Sequence, residues 1–322
     1  MAPALSRRTL LVAAASTAAV LGAGAAGAAG VETGVLPGRS RLHRALGLDG
    51  PAGVVPSDAA GPFASGSFVS AARLGRSVSW GVSYPPGSRD DASLPVVVVL
   101  HGYGETHADA FGTRLGLDRF LAAAVAAGSR PFAIAAVDGG NTYWHARRSG
   151  EDAGRMVTEE FLPVLADRGL RSRPADRVGF LGWSMGGFGA LLLGSTLGRE
   201  RVAAVGGMSV ALWLSADRTA SGAFDGPADF AAHDLYRRGA LLGRVPVRVD
   251  CGTGDGFAAN DRALVASIRA GSGSAPGSGS GSGSGSAGGA GPIGAFEPGG
   301  HDMAYWRRVA PAQLRFLAAH LS

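Results

Sequence analysis

The sequence predicts an α/β protein built on a mostly parallel sheet of eight strands, with helices on both faces. Three observations predict it. From Ser67 onward, short β-branched runs alternate with Ala/Leu-rich segments, the pattern of βα units. Most of those runs are apolar throughout, as strands covered on both sides must be. The chain has 322 residues, 46% apolar and only 17% charged, against about 25% charged in an average soluble domain. That composition supports a sizeable core and excludes a disordered chain.

Taken in order, residues 1–30 read as an export signal. Ser6-Arg7-Arg8-Thr9-Leu10-Leu11 precedes an uncharged Ala/Gly-rich run with Ala-x-Ala sites at Ala23-Gly24-Ala25 and Ala26-Gly27-Ala28. A twin-arginine leader of this kind predicts an exported protein, periplasmic, wall-associated or extracellular, with no stable membrane insertion once the signal is removed. Its Ala and Gly content makes it a poor membrane anchor. Residues 31–66 form an N-terminal extension, and residues 67–322 the main domain. Strands are predicted at 68–74 and 78–84, a hairpin turning at Gly75 and Arg76, then at 96–100, 132–137, 178–182, 202–207, 245–251 and 293–297. Helices are predicted at 117–127, 153–167, 185–197, 228–242, 257–270 and 303–321. Residues 271–291 are almost wholly Gly and Ser. Too few residues follow for a separate core, so this is a surface insertion.

All 30 basic residues are Arg. The absence of Lys removes a lysine Schiff base and the phosphate-binding G-K-[ST] loop. The formal charge is +5, but the arginines are scattered among acids, so no nucleic-acid partner is expected. The lone Cys251 can make no internal disulfide and reads as a small buried side chain.

Gly182-Trp183-Ser184-Met185-Gly186 falls where an apolar strand meets an Ala/Leu helix, the setting a nucleophile elbow needs. Ser209, in a second Gly-x-Ser context, lacks a clean helix after it. A serine hydroxyl needs a base within hydrogen-bond reach and a carboxylate to orient that base. His301, in Gly299-Gly300-His301-Asp302 after the last strand, is the predicted base; Asp255, in the loop leaving the seventh strand, is the predicted acid. The order Ser184, Asp255, His301 is that of α/β hydrolases. Asp250 is the rival acid, and Asp302 reads as a helix cap. His101-Gly102-Tyr103-Gly104 follows the third strand, so the backbone N–H groups of Tyr103 and Met185 are the predicted oxyanion donors. Tyr143 and Trp144, after the fourth strand, are predicted to line the substrate pocket, and Trp213 and Phe224 belong to a cap between the sixth and seventh strands. His101, His107 and Asp109 show no recognisable metal-ligand spacing, and no metal or organic cofactor is needed.

The HGYG, VDGGNTYWH, GWSMGGFGA, CGTGDGF and GGHDMAYWR stretches together resemble the bacterial putative-esterase family of α/β hydrolases, which includes esterase D-like enzymes and is related to mycolyltransferases. The resemblance covers roughly 68–321. It implies the α/β-hydrolase fold, Ser184 as nucleophile, Asp255 as acid, His301 as base, and oxyanion N–H groups at Tyr103 and Met185. Gly256 stands where relatives often carry Pro. The resulting expectation is a serine hydrolase that cleaves a small-molecule or cell-envelope carboxylic ester through an acyl-enzyme. The alternatives are transfer of the acyl group to a sugar, as in mycolyltransferases, and a non-catalytic wall- or ligand-binding module on a hydrolase scaffold. The triad is the same for hydrolysis and transfer, and neither acyl length nor oligomeric state is encoded in it.

Overall fold

Residues 96–99 are all Val and residue 100 is Leu, so the strand they form has no polar face to show to water. Such a strand belongs in the interior of a sheet covered on both sides. In the computed structural model, which describes residues 39–89, 92–272 and 294–321, that is where it lies. The strands are β1 (Phe63–Ser70), β2 (Arg76–Ser83), β3 (Val96–Leu100), β4 (Ala133–Val137), β5 (Val178–Trp183), β6 (Val202–Met208), β7 (Val247–Gly252) and β8 (Phe296–Glu297). They form one sheet in the order β1-β2-β4-β3-β5-β6-β7-β8. β1, β2 and β4 pair antiparallel, and every later neighbour is parallel.

The strand period of two divides the core. Val96, Val98 and Leu100 pack with the helical segment 153–167 and the helices Met185–Arg201 and Ala258–Ser272. Val97 and Val99 face the other way, onto Leu117–Ala126 and Met303–His320. Helices therefore cover both faces, as the sequence predicts. Within 153–167, residues Met156–Phe161 make a π-helical turn.

Most bounds fall within two residues of expectation, and the larger differences lie in the first hairpin, the 228–242 helix and the last strand. The sheet begins at Phe63, inside the stretch assigned to the extension, and the first strand ends at Ser70 rather than running on to 74. There Ser70 Oγ–H and the Ala72 N–H (2.9 Å) both donate to Glu160, and the Arg73 N–H donates to Ser70 Oγ (3.0 Å). These bonds curl the chain into a turn that ends on the left-handed Leu74 and Gly75. The expected helix 228–242 is two short ones, Pro227–Ala232 and Gly239–Leu242. Asp234 accepts the Tyr236 N–H (2.9 Å), a local bond that competes with the helix. The helix from Met185 is assigned to Arg201, yet Gly198 inside it has φ 64° and ψ −178°, so the regular part stops at Leu197 as expected. Of the expected strand 293–297, Phe296–Glu297 pairs with β7.

The expected signal, the extension up to residue 38 and residues 273–293 of the Gly/Ser run lie outside the described residues; Gly271 and Ser272 end a helix. Among the described residues no helix is long and apolar enough to cross a membrane. Residues 44–53 lie against the last helix: the Gly53 N–H donates to Ala304 O (2.7 Å), Arg308 to Asp49 O (3.1 Å), and Arg44 pairs with Asp302 (3.0 Å).

Candidate active site

Ser184 closes β5 and opens the helix Met185–Arg201 with φ 54° and ψ −120°, a left-handed conformation for a residue with a side chain. Such strain persists only where the surroundings over-determine it. Here they do. The Ser184 N–H donates to Met208 O (2.9 Å), and Ser184 O accepts from Phe188 and Ala211 (both 3.1 Å). A Cβ on Gly182 would stand 2.1 Å from Gly186 O, and one on Gly186 only 1.9 Å from Leu100 O. The two glycines of the motif are thus required by close backbone approach, and the turn lifts the serine hydroxyl above the carboxyl edge of the sheet.

The acid and base come from loops tied to each other. The Thr253 N–H donates to Glu297 O (2.8 Å) and the Gly254 N–H to Gly299 O (2.9 Å), extending the β7–β8 pairing past the strand ends. Asp255 is 1% exposed. One of its oxygens accepts the Phe257 N–H (2.9 Å); the other accepts His301 Nδ1–H (2.8 Å). Burial pushes its carboxyl up, but the bonds from His301 and Phe257 outweigh that and hold it below the usual carboxylate range. Because an ionised carboxylate only accepts, Nδ1 carries the ring proton and Nε2 is left bare. Ser184 Oγ–H donates to that Nε2 at 2.9 Å. The three residues expected to act together meet in one chain of hydrogen bonds. Phe257 and Trp306 flank the His301 ring, with centroids 5.4 and 5.2 Å away. Asp302 caps the last helix by accepting the Tyr305 N–H (3.1 Å).

Met185 is the first residue of its helix, where N–H groups have no carbonyl inside the helix to donate to. Tyr103 sits in a loop fixed on either side: the Gly102 N–H donates to Glu105 (3.1 Å) and the Gly104 N–H to Asn141 Oδ1 (2.7 Å). Glu105 also accepts from Trp183 Nε1. Both backbone groups expected to stabilise an oxyanion therefore lie on anchored elements.

Both residues expected to line the pocket are buried, Trp144 at 1% and Tyr143 at 4% exposure. Tyr143 and Trp144 are consecutive left-handed residues, φ 56° and 59°. That winding turns Trp144 into the core, 1% exposed and T-shaped on His101 at 5.1 Å, in a space where a Cβ on Gly139 or Gly189 would strike its ring. Trp144 is a core residue, not a pocket wall. Tyr143, in the same core cluster, joins an aromatic arc that starts at Tyr103 (6.5 Å), continues through Trp213 (5.6 Å) to Phe257 (5.5 Å from Trp213), and ends at His301. Phe224, the other expected cap residue, packs behind Tyr143 at 6.1 Å. Phe257, Glu105 and Asn141 escape sequence reading. Phe257 is adjacent to the CGTGDG loop, which was a usable signal; a glutamate bonding across the fold carries none.

The rival residues have other partners. Asp250 is fully buried between Arg248 (2.8 Å), Gln313 (2.9 Å) and the Ala295 N–H (2.7 Å). Ser209 and Cys251 are completely buried. His101 Nε2 accepts the Gly139 N–H (3.0 Å) while Nδ1–H donates to Gly102 O (2.7 Å), which joins the loops after β3 and β4. His107 pairs with Asp138 (2.7 Å). Beneath the acid lies Asp261, wholly buried and accepting the Val210 N–H (3.0 Å); burial first, and the Asp255 charge second, push its carboxyl well up.

A family model described as putative esterase matches residues 71–317. No curated protein is similar enough in sequence to count as a match. Among solved structures, a ferulic acid esterase superposes with a TM-score of 0.64 at 20% identity, covering 80% of this chain and 98% of that one. An S-formylglutathione hydrolase from Agrobacterium tumefaciens gives 0.59 at 16% identity over 81% of this chain and 95% of that one. The fluorophosphonate-binding serine hydrolase F of Staphylococcus aureus, substrate bound, gives 0.58 at 18% over 81% and 99%. At these identities the likeness is one of fold.

Proposed function

We propose, from the premise that this chain belongs to the putative-esterase family, that it is a serine hydrolase acting on carboxylic esters through an acyl-enzyme on Ser184. The observation that carries the reading is the unbroken relay from Ser184 Oγ through His301 (2.9 Å) to Asp255 (2.8 Å).

Ser184 Oγ attacks the ester carbonyl carbon while His301 Nε2 takes its proton, and negative charge gathers on the carbonyl oxygen. The N–H groups of Met185 and Tyr103 receive that charge, each worth on the order of 3 kcal/mol. Collapse breaks the bond to the alcohol oxygen, which leaves with the proton from Nε2. Water then attacks the acyl-enzyme by the same steps in reverse order and frees the acid. Asp255, held ionised, keeps Nδ1 protonated and stabilises the imidazolium that forms. The aromatic arc from Tyr103 to Phe257 favours an ester with an apolar or aromatic group beside the scissile bond. The twin-arginine stretch at Arg7-Arg8 supports export of the folded chain, which has no disulfide to form outside.

Labelling with a fluorophosphonate probe followed by peptide mapping tests the reading: the label is expected on Ser184. Ser184→Ala should abolish labelling and lower turnover of p-nitrophenyl acetate by about 10⁴ to 10⁶. Full activity in that variant, or a label elsewhere, would refute the assignment.

A further inference from the structure

We propose that His145, Asp229 and His233 form a binding site for one divalent transition-metal cation, Zn²⁺ being the best chemical match, which joins the loop after β4 to the segment between β6 and β7. One ligand atom from each residue lies within 4.8 Å of the others. Two imidazoles and a carboxylate are a donor set that suits zinc and leaves a position for water. The site is separate from the Ser184 relay.

The surroundings gather these ligands and hold two of them in place. Asp229 Oδ2 accepts the Asp225 N–H (2.7 Å), which turns Oδ1 toward His233 Nδ1 (2.9 Å) and His145 Nδ1 (3.7 Å). Asp229 and His233 sit four residues apart, on one side of a helical turn. Asp225, which holds Asp229, is itself held by Arg147 (2.9 Å), and the Arg148 N–H donates to it (2.5 Å). His145 is the anchoring ligand, 3% exposed. Its Nε2 faces Ala223 O at 3.2 Å and its Nδ1 faces Ala146 O at 3.0 Å. A neutral ring has one N–H, so one nitrogen lone pair always points at an oxygen lone pair. With Nε2–H donating to Ala223 O, the arrangement usual for a metal-bound histidine, that lone pair is on Nδ1 and faces the site. A cation there removes the repulsion. The side chains of His233 and Asp229 are partly exposed (21% and 16%), which leaves an entry path. The two rings stack at 4.2 Å and 29°, so loading requires the His233 ring, on the surface, to swing open.

The test uses the full chain freed of metal with a chelator. Titration with Zn²⁺, followed by metal analysis after gel filtration, should give about one Zn²⁺ per chain and a melting temperature that rises with Zn²⁺. Co²⁺ should give the visible absorption of a four-coordinate site. His233→Ala and Asp229→Asn should each weaken Zn²⁺ binding at least tenfold, while fluorophosphonate labelling of Ser184 is retained in both. Ser184→Ala should bind Zn²⁺ like the wild type, which separates this site from the esterase reading. Absence of Zn²⁺ uptake by the wild type, uptake unchanged in His233→Ala, or octahedral Co²⁺ spectra would overturn the proposal.

Discussion

Trp144 and Asp261 show how single side chains serve the site without touching substrate. Trp144 fills the space between Gly139 and Gly189 beneath the elbow helix, next to Tyr143 of the aromatic arc. Replacing it with Ala leaves a cavity that glycine neighbours cannot fill. Trp144→Ala should cost about 3–5 kcal/mol in chemical denaturation. Asp261 acts through its proton. An unfolded chain releases an Asp proton near pH 4, at about 3.9, whereas the folded protein, with the Asp261 pKa raised, keeps it. The native state then binds more protons than the unfolded state, so this group lowers stability as pH rises from about 4 toward the folded pKa. Asp261→Asn retains an acceptor for the Val210 N–H and removes that slope. Its melting temperature relative to wild type should climb between pH 4 and 8; a difference that stays flat would show Asp261 ionised in the fold. Neither role is legible in the sequence, because both depend on which glycines and which second carboxylate the fold brings near.

Elements were legible where periodicity and steric demands coincide. The run of valines in β3, the Ala/Leu helix after Ser184 and the glycines around it each have one structural solution, and the structure adopts it. Gly198 is the same kind of signal at a helix end: its φ 64° and ψ −178° lie in a region open essentially to glycine alone. Gly198→Ala meets no neighbour within 4 Å, so its whole effect is backbone strain. It should destabilise by about 1–3 kcal/mol without changing ester turnover, as measured by urea unfolding beside a p-nitrophenyl acetate assay. The first hairpin forms as expected with shifted bounds, and the helix 228–242 is broken, because side chains decide both. Glu160 and Asp234 capture backbone N–H groups that periodicity assigns to a strand or a helix. The Asp255 loop ends an element too. A Cβ on Gly256 would meet nothing within 4 Å, so Gly256→Ala should raise stability by roughly 0.4–1 kcal/mol through the unfolded chain's entropy and leave Asp255 in place.

Across the whole molecule, the relay joins residues far apart in sequence through one sheet edge. Ser184 and His301 are 117 positions apart, Asp255 and His301 46. Their convergence was readable because order along the chain and placement after strands are topological facts. Their distances were not, since those rest on the bonds between the Thr253–Gly254 and Glu297–Gly299 backbones. The arrangement of that last stretch has a practical corollary. Residues 294–321 carry the base and a helix whose Tyr305, Trp306, Val309, Leu314 and Leu317 are buried against the rest, while the nucleophile and acid precede the Gly/Ser-rich stretch. The molecule is therefore divisible into two polypeptides with complementary halves of one reagent, each inert alone. Co-expressed as 1–280 and 281–322, they should reassemble without a covalent joint and regain hydrolysis, giving a complementation reporter whose signal is catalytic turnover.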